Sequence, residues 1–129
     1  MSTAEPRRAR ALLVEDEALV RLYLERALER IGIGVVAVAS SAAEAVELAL
    51  STAVDVVLLD VRLRGEHDGV WVAEQLRAKT QVAIVFLTGD GEGALQERLT
   101  ATQPDGFLAK PFRPAELERV LRPLVHRDV

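Results

Sequence analysis

Residues 56–60, VVLLD, set four consecutive apolar side chains before an aspartate. A strand with one wet face alternates apolar and polar positions, whereas a strand covered on both faces is apolar throughout. The run therefore reads as a central strand of a parallel sheet with Asp60 at its carboxyl end. Runs of the same kind recur outward along the chain: Ala11 to Val14, Ile33 to Val38, Val82 to Leu87, and the short Phe107 to Leu108. Between them lie longer stretches with helical spacing. Leu19, Leu22, Tyr23, Arg26, Ala27 and Arg30 separate an apolar from a charged face, as an amphipathic helix does. Residues 41–51, 69–79, 93–101 and 114–126 read as helices in the same way. Strand and helix thus alternate five times, which calls for α/β architecture with helices on both faces of a parallel sheet. Right-handed crossovers leave few topologies, and the expectation is a five-stranded, doubly wound sheet in the order 2-1-3-4-5.

Local punctuation agrees. Ser40 or Ser41 followed by Glu44 resembles a capping box ahead of the second helix. Gly32 and Gly34 bracket the exit from the first helix. Pro114 suits the first turn of the last helix, whereas Pro123 is expected to kink that helix or end it early. Residues 1–8 are polar and expected to fray, leaving one domain over 9–127. At 129 residues there is no room for a second.

Composition removes several function classes. There is no cysteine, so disulfides, thiolate metal sites and cysteine nucleophiles are excluded. The formal net charge is −4, which argues against direct nucleic-acid binding by bulk electrostatics. No apolar run approaches the roughly 20 residues of a membrane span. The arginines of MSTAEPRRAR lead into only four apolar residues, too few for a secretory core. A cytoplasmic protein is expected. HRDV alone follows the last helix, so a chain complete as given would pass its signal by protein contact or phosphorelay.

The chemistry stands at the strand ends. Glu15-Asp16 follow the first run, Asp60 the third, Thr88-Gly89 the fourth, and Lys110-Pro111 the fifth. Each has a bland reading as a cap, a loop starter or a surface charge. Parallel strands put them all on one edge of the sheet, where ligands of such folds bind. Converging carboxylates repel. A hard divalent cation relieves this, and Mg²⁺ favours one or two carboxylates with phosphate oxygens and water. A carboxylate beside such an ion can also act as a nucleophile toward phosphorus, giving an aspartyl phosphate. The Lys ammonium and the Thr hydroxyl then supply donors to the phosphoryl oxygens. The chain has fourteen arginines and two lysines, so a compact ammonium at position 110 is conspicuous: it suits a single phosphoryl oxygen as a point charge.

In these residues the chain resembles the receiver domain of bacterial two-component response regulators. The pieces are LLVEDE at 12–17, VVLLDVRL at 56–63, the DG pair at 68–69, FLTG at 86–89 and GFLAKPF at 106–112. The resemblance implies a flavodoxin-like (βα)5 fold. It implies Asp60 as phosphoacceptor, with Asp16 ligating Mg²⁺ directly, Glu15 through water, and the Arg62 carbonyl as main-chain ligand. Thr88 and Lys110 match the residues that bind the phosphoryl group, and Phe107 the aromatic switch that follows Thr88 inward. Lys110-Pro111 matches a peptide bond that is cis in most of the family. Arg62 and Asp90 match positions that tune phosphoryl loss, and an ion pair between them over the site is expected. The loop VRLRGEHDG departs from the family pattern: it lacks the usual proline and is one residue longer.

The partners implied are a sensor histidine kinase or a histidine phosphotransfer protein, and a downstream protein of unknown identity. They include no membrane and no nucleic acid. The face of the fourth helix, last strand and last helix is the family's output and dimer surface, which admits a homodimer. Leu95, Leu99, Leu117, Val120 and Leu121 are placed either there or in the core. Trp71 reads as half-buried packing, Phe86 as core, and His67 and His126 as solvated. Other classes fit less well. A flavodoxin-type cofactor protein wants a Gly/Ser/Thr-rich phosphate loop where this chain has EDEAL. A haloacid-dehalogenase-type phosphatase wants an acid where Arg62 stands. A receiver-like scaffold without phosphorylation usually lacks an acceptor, acidic pair or lysine that are all intact here. The expected activity is self-phosphorylation and self-dephosphorylation only, without turnover of a separate substrate.

Overall fold

The computed structural model describes residues 8–89 and 93–125. The elements run β1 (Ala9–Val14), α1 (Ala18–Arg30), β2 (Ile33–Ala39), α2 (Ala42–Ser51), β3 (Val56–Asp60), α3 (Gly69–Lys79), β4 (Ala83–Thr88), a 3-10 turn (Gly93–Leu95), α4 (Gln96–Ala101), β5 (Gly106–Ala109) and α5 (Pro114–Val125). The strands form one sheet in the order β2-β1-β3-β4-β5, and every pairing is parallel. This is the expected topology. Register sets Val14 beside Leu59, Asp60 beside Leu87 and Thr88 beside Ala109, so the functional ends share one edge.

Each central strand divides its side chains between two cores, as period-two geometry requires. Leu13, Leu58, Val85 and Leu87 pack with Leu24 and Leu28 of α1 and Leu117 and Leu121 of α5. Leu12, Val57, Leu59, Ile84 and Phe86 pack with Ala45 of α2, Val70, Ala73 and Leu76 of α3, and Leu99 of α4. Leu99, Leu117 and Leu121 are therefore core residues, while Leu95 and Val120 are partly buried against it. Trp71 is half-buried as expected. His67 is exposed, yet its ring stacks on Trp71 at 3.9 Å between centroids.

The capping box is present in a shifted form. Ser41 Oγ accepts the Glu44 N–H at 3.2 Å, and Glu44 Oε1 accepts the N–H of Ser40 rather than that of the cap residue. Gly32 closes α1 at φ +86°, a conformation that costs an L side chain energy, whereas Gly34 lies inside β2. Pro123 does not end α5 early: the helix runs past it to Val125. The carbonyl that loses its donor belongs to Arg119, four residues earlier on the exposed side of the helix, where water can satisfy it. The fourth helix also differs, since its first turn is 3-10 and only 96–101 are α-helical. Of the expected frayed segment, Arg8 is described and pairs with Glu29 at 3.5 Å; residues 1–7, like His126, lie outside the described residues.

Candidate functional site

Glu15, Asp60, Thr88 and Lys110 each sit at or just past the carboxyl end of a strand. Beyond β1, the Glu15 N–H still donates to Ala39 O at 3.1 Å, and Arg21 of α1 donates to the Glu15 carbonyl at 2.9 Å. That clamp turns the Glu15 side chain into the fold, where it is fully buried. Asp60 closes β3 and is 6% exposed. Lys110, just past β5, donates to Glu15 Oε1 at 2.9 Å and to Asp60 Oδ2 at 3.3 Å. The ammonium thus bridges two buried carboxylates from different strands. Asp16 stands at the rim, and Arg64 Nε lies 3.5 Å from its Oδ2.

One carboxylate oxygen each from Glu15, Asp16 and Asp60 lies within 4.8 Å of the other two. Three hard oxygen donors converging on one point fit a small divalent cation such as Mg²⁺. The electrostatics carry the same message. Burial pushes the Asp60 carboxyl up to about 7, the Glu15 charge adds to this, and Lys110 opposes it. Burial lowers the proton affinity of Lys110, but its bonds and charge interactions with Glu15 and Asp60 win and hold the ammonium above its ordinary 10.5. Without added positive charge the site therefore favours protonation of Asp60.

The loop after Asp60 folds back over the carboxylate. The Arg62 N–H donates to Asp60 Oδ1 at 3.2 Å, and the Gly69 N–H donates to Val61 O at 2.8 Å. A Cβ on Gly69 would lie 2.1 Å from the Asp60 carbonyl oxygen, so only glycine lets α3 start this close to the end of β3. Asp68 caps that helix by accepting the Trp71 N–H at 2.9 Å. Thr88 is half-buried, and its hydroxyl donates to the Leu108 carbonyl of β5 at 3.4 Å. Phe107 is 41% exposed, with its ring 6.0 Å from that of Phe86. The Lys110-Pro111 peptide bond is cis. Asp90 lies outside the described residues, and so does its expected pairing with Arg62.

A family model described as the response regulator receiver domain matches residues 11–122. The chain belongs to this family. As a receiver domain it resembles the signal receiver domain of a modulated diguanylate cyclase from Desulfovibrio desulfuricans, with a TM-score of 0.87 and 32% identity over 94% of this chain and 96% of that one. It also resembles the receiver domain of a sensor histidine kinase from Pseudomonas aeruginosa, whose structure has a magnesium ion coordinated in the active-site cleft (TM-score 0.83, 29% identity, 93% and 99% covered). Among curated proteins it is 38% identical to the probable transcriptional regulator ycf27 of Guillardia theta, over 92% of this chain and 46% of that protein. It is 37% identical to the transcriptional regulatory protein PdtaR of Mycobacterium tuberculosis, over 88% and 54%. The receiver domain spans about half the length of these relatives.

Glu15, Asp16, Asp60 and Lys110 meet in this receiver domain as their strand positions imply. Sequence reading missed three neighbours. Gly69 was visible as part of the DG pair, without its contact to Asp60. The Arg21 clamp carried no signal, because an arginine on the charged face of an amphipathic helix looks solvated. Arg64 carried none either, because its reach depends on the path of a loop.

Proposed function

We propose that this receiver domain is a phosphorylation-activated switch that takes a phosphoryl group on Asp60 from a phosphohistidine, on a sensor kinase or a phosphotransfer protein, with Mg²⁺ as cofactor. The observation that carries the reading is the buried Asp60 carboxylate bridged by Lys110 to Glu15, with three acidic oxygens converging beside it. Mg²⁺ held by Glu15, Asp16, Asp60 and the Arg62 carbonyl would supply the positive charge that favours ionised Asp60 and offsets the phosphoryl charge. An Asp60 oxygen attacks phosphorus, the P–N bond breaks, and its electron pair returns to the imidazole of the donor. Lys110 binds one phosphoryl oxygen as a point charge, and the Thr88 hydroxyl turns from Leu108 O to another. The ring of Phe107, exposed while Thr88 is bonded to β5, then moves inward. The face of α4, β5 and α5 thereby changes its affinity for a partner, a second copy included. Water attack on the acyl phosphate resets the switch. The chain turns over no separate substrate.

The net charge of −4 supports signalling through protein contact rather than direct nucleic-acid binding by this domain. Among the described residues no helix is long and apolar enough to cross a membrane. Arg62 and Asp90 flank the acceptor and the hydroxyl in sequence and are assigned to tuning phosphoryl loss. The test is incubation with a small acyl-phosphate donor, with and without Mg²⁺, read by intact mass. A gain of one phosphoryl group that needs both Mg²⁺ and Asp60 is expected. Failure both to gain mass and to form a beryllofluoride complex would leave a scaffold that binds partners unmodified.

A further inference from the structure

Among the described residues, Lys110 and Arg64 both pair with carboxylates of the cluster Glu15, Asp16 and Asp60, and these two cations are unequal. Lys110 is held by two buried carboxylates and is only 25% exposed in its side chain. Among the described residues Arg64 pairs with Asp16 alone, at 3.5 Å, and its side chain is 87% exposed. It projects from the loop between β3 and α3, immediately before Gly65, whose φ is +103°. An ion pair so exposed is weak and easily exchanged. Yet the oxygen that Arg64 faces belongs to the acidic residue at the rim of the cation cluster, with a side chain only 14% exposed. A guanidinium on that carboxylate and a divalent ion bound to it repel one another.

We propose that Arg64 is a tethered competitor for the cation position at Asp16, a positioning residue that lowers the affinity for Mg²⁺ and leaves the carboxylate when the ion is held there. The inference rests on the reading of Glu15, Asp16 and Asp60 as the Mg²⁺ site. Lys110, doubly anchored, stays in place for the phosphoryl group, while Arg64 is the cation that yields. The occupancy of the metal site, and with it the readiness of Asp60 to accept a phosphoryl group, is then set by a residue outside the ligand set.

The test is an NMR titration with MgCl₂ at constant ionic strength, following backbone amides and the Arg64 Nε–H. It compares the unaltered chain with Arg64→Ala and Arg98→Ala. Arg98 is the control because it is an exposed arginine paired with Asp68 at the other end of the same loop. Arg64→Ala should bind Mg²⁺ about two- to fivefold more tightly, the factor that an exposed ion pair is worth. Arg98→Ala should bind it as the unaltered chain does. The Arg64 Nε–H resonance should move with the same midpoint as the amides around Glu15 and Asp60. Equal affinity in Arg64→Ala, equal tightening in both variants, or a static Arg64 resonance at saturating Mg²⁺ would overturn the inference and leave the metal site standing. Absence of Mg²⁺ binding in all three proteins would overturn the metal site itself, and the inference with it.

Discussion

In the proposed reaction Asp60 must be ionised to attack phosphorus, yet its surroundings hold a proton on it up to about pH 7. The sign of the consequence follows from linkage. With its ordinary value of 3.8 raised to about 7 in the folded state, the folded chain keeps a proton that the unfolded chain releases. This contribution to stability is fully present below about pH 4 and is lost as the pH rises through about 7. Asp60→Asn keeps the shape of the side chain and removes the titration. In metal-free protein, the gain in unfolding free energy from Asp60→Asn should be larger at pH 8 than at pH 4.5, by about 1–3 kcal/mol. Urea denaturation at the two pH values measures it. Saturating Mg²⁺ should shrink the gain at pH 8, because only the unaltered protein keeps its full set of carboxylate ligands. A gain independent of pH would mean that Asp60 is ionised throughout and that Lys110 alone neutralises the site.

At the scale of elements, the start of α3 is the joint between packing and chemistry. Gly69 opens the helix against the backbone of β3: a Cβ there would meet Asp60 O at 2.1 Å and Val61 Cα at 3.0 Å. Backbone cannot swing aside as a side chain can, so Gly69→Ala should lower stability by about 1–3 kcal/mol and weaken Mg²⁺ binding by shifting the loop that holds Asp60. Gly93→Ala is the control, since among the described residues nothing beyond its chain neighbours lies within 4 Å of a Cβ at that position; its stability should stay within about 0.5 kcal/mol. Denaturant midpoints of the two variants decide the matter. The same joint shows what a sequence reveals. Strands β1, β3 and β4 are legible because both faces are buried and their apolar runs are unbroken, and the edge strand β2, only partly buried, is legible by its apolar run alone. From parallel strands alone it follows that Asp60 and Lys110 share an edge. Side-chain direction is not legible in the same way: the Thr88 hydroxyl bonds to Leu108 O across β5, and only the sheet register makes that partner. Arg64 meets Asp16 through the path of an irregular loop, which no periodicity encodes. The 3-10 start of α4 is hidden for a related reason, since Gly93, Ala94 and Leu95 satisfy helical spacing in either geometry.

At the scale of the molecule, the two edges of the sheet have different tasks. The carboxyl edge gathers charge around Asp60 at a cost in stability. The opposite edge contains its own cation, Arg77 near the end of α3, used in another way. Its guanidinium donates to the carbonyls of Val82 at 2.7 Å, Thr102 at 3.1 Å and Gln103 at 3.0 Å, and pairs with Asp105 at 2.8 Å. Asp105 Oδ2 in turn accepts the Ile84 N–H at 2.8 Å. One planar side chain therefore ties α3 to the entries of β4 and β5, where the Asp105 N–H also donates to Ile84 O at 2.7 Å. Removing it leaves several carbonyls and a carboxylate short of a partner, so Arg77→Ala should cost about 2–4 kcal/mol. Arg77→Lys should recover little, because an ammonium cannot reproduce the fork that serves these acceptors together. Neither change touches a group at the acceptor edge, so Mg²⁺ affinity and acyl-phosphate uptake at Asp60 should remain those of the unaltered chain at temperatures where the variants are folded. Denaturant unfolding and intact-mass phosphorylation on the same samples test both halves. A variant that keeps its stability but loses phosphoryl uptake would show that the two edges are coupled through β4, rather than independent.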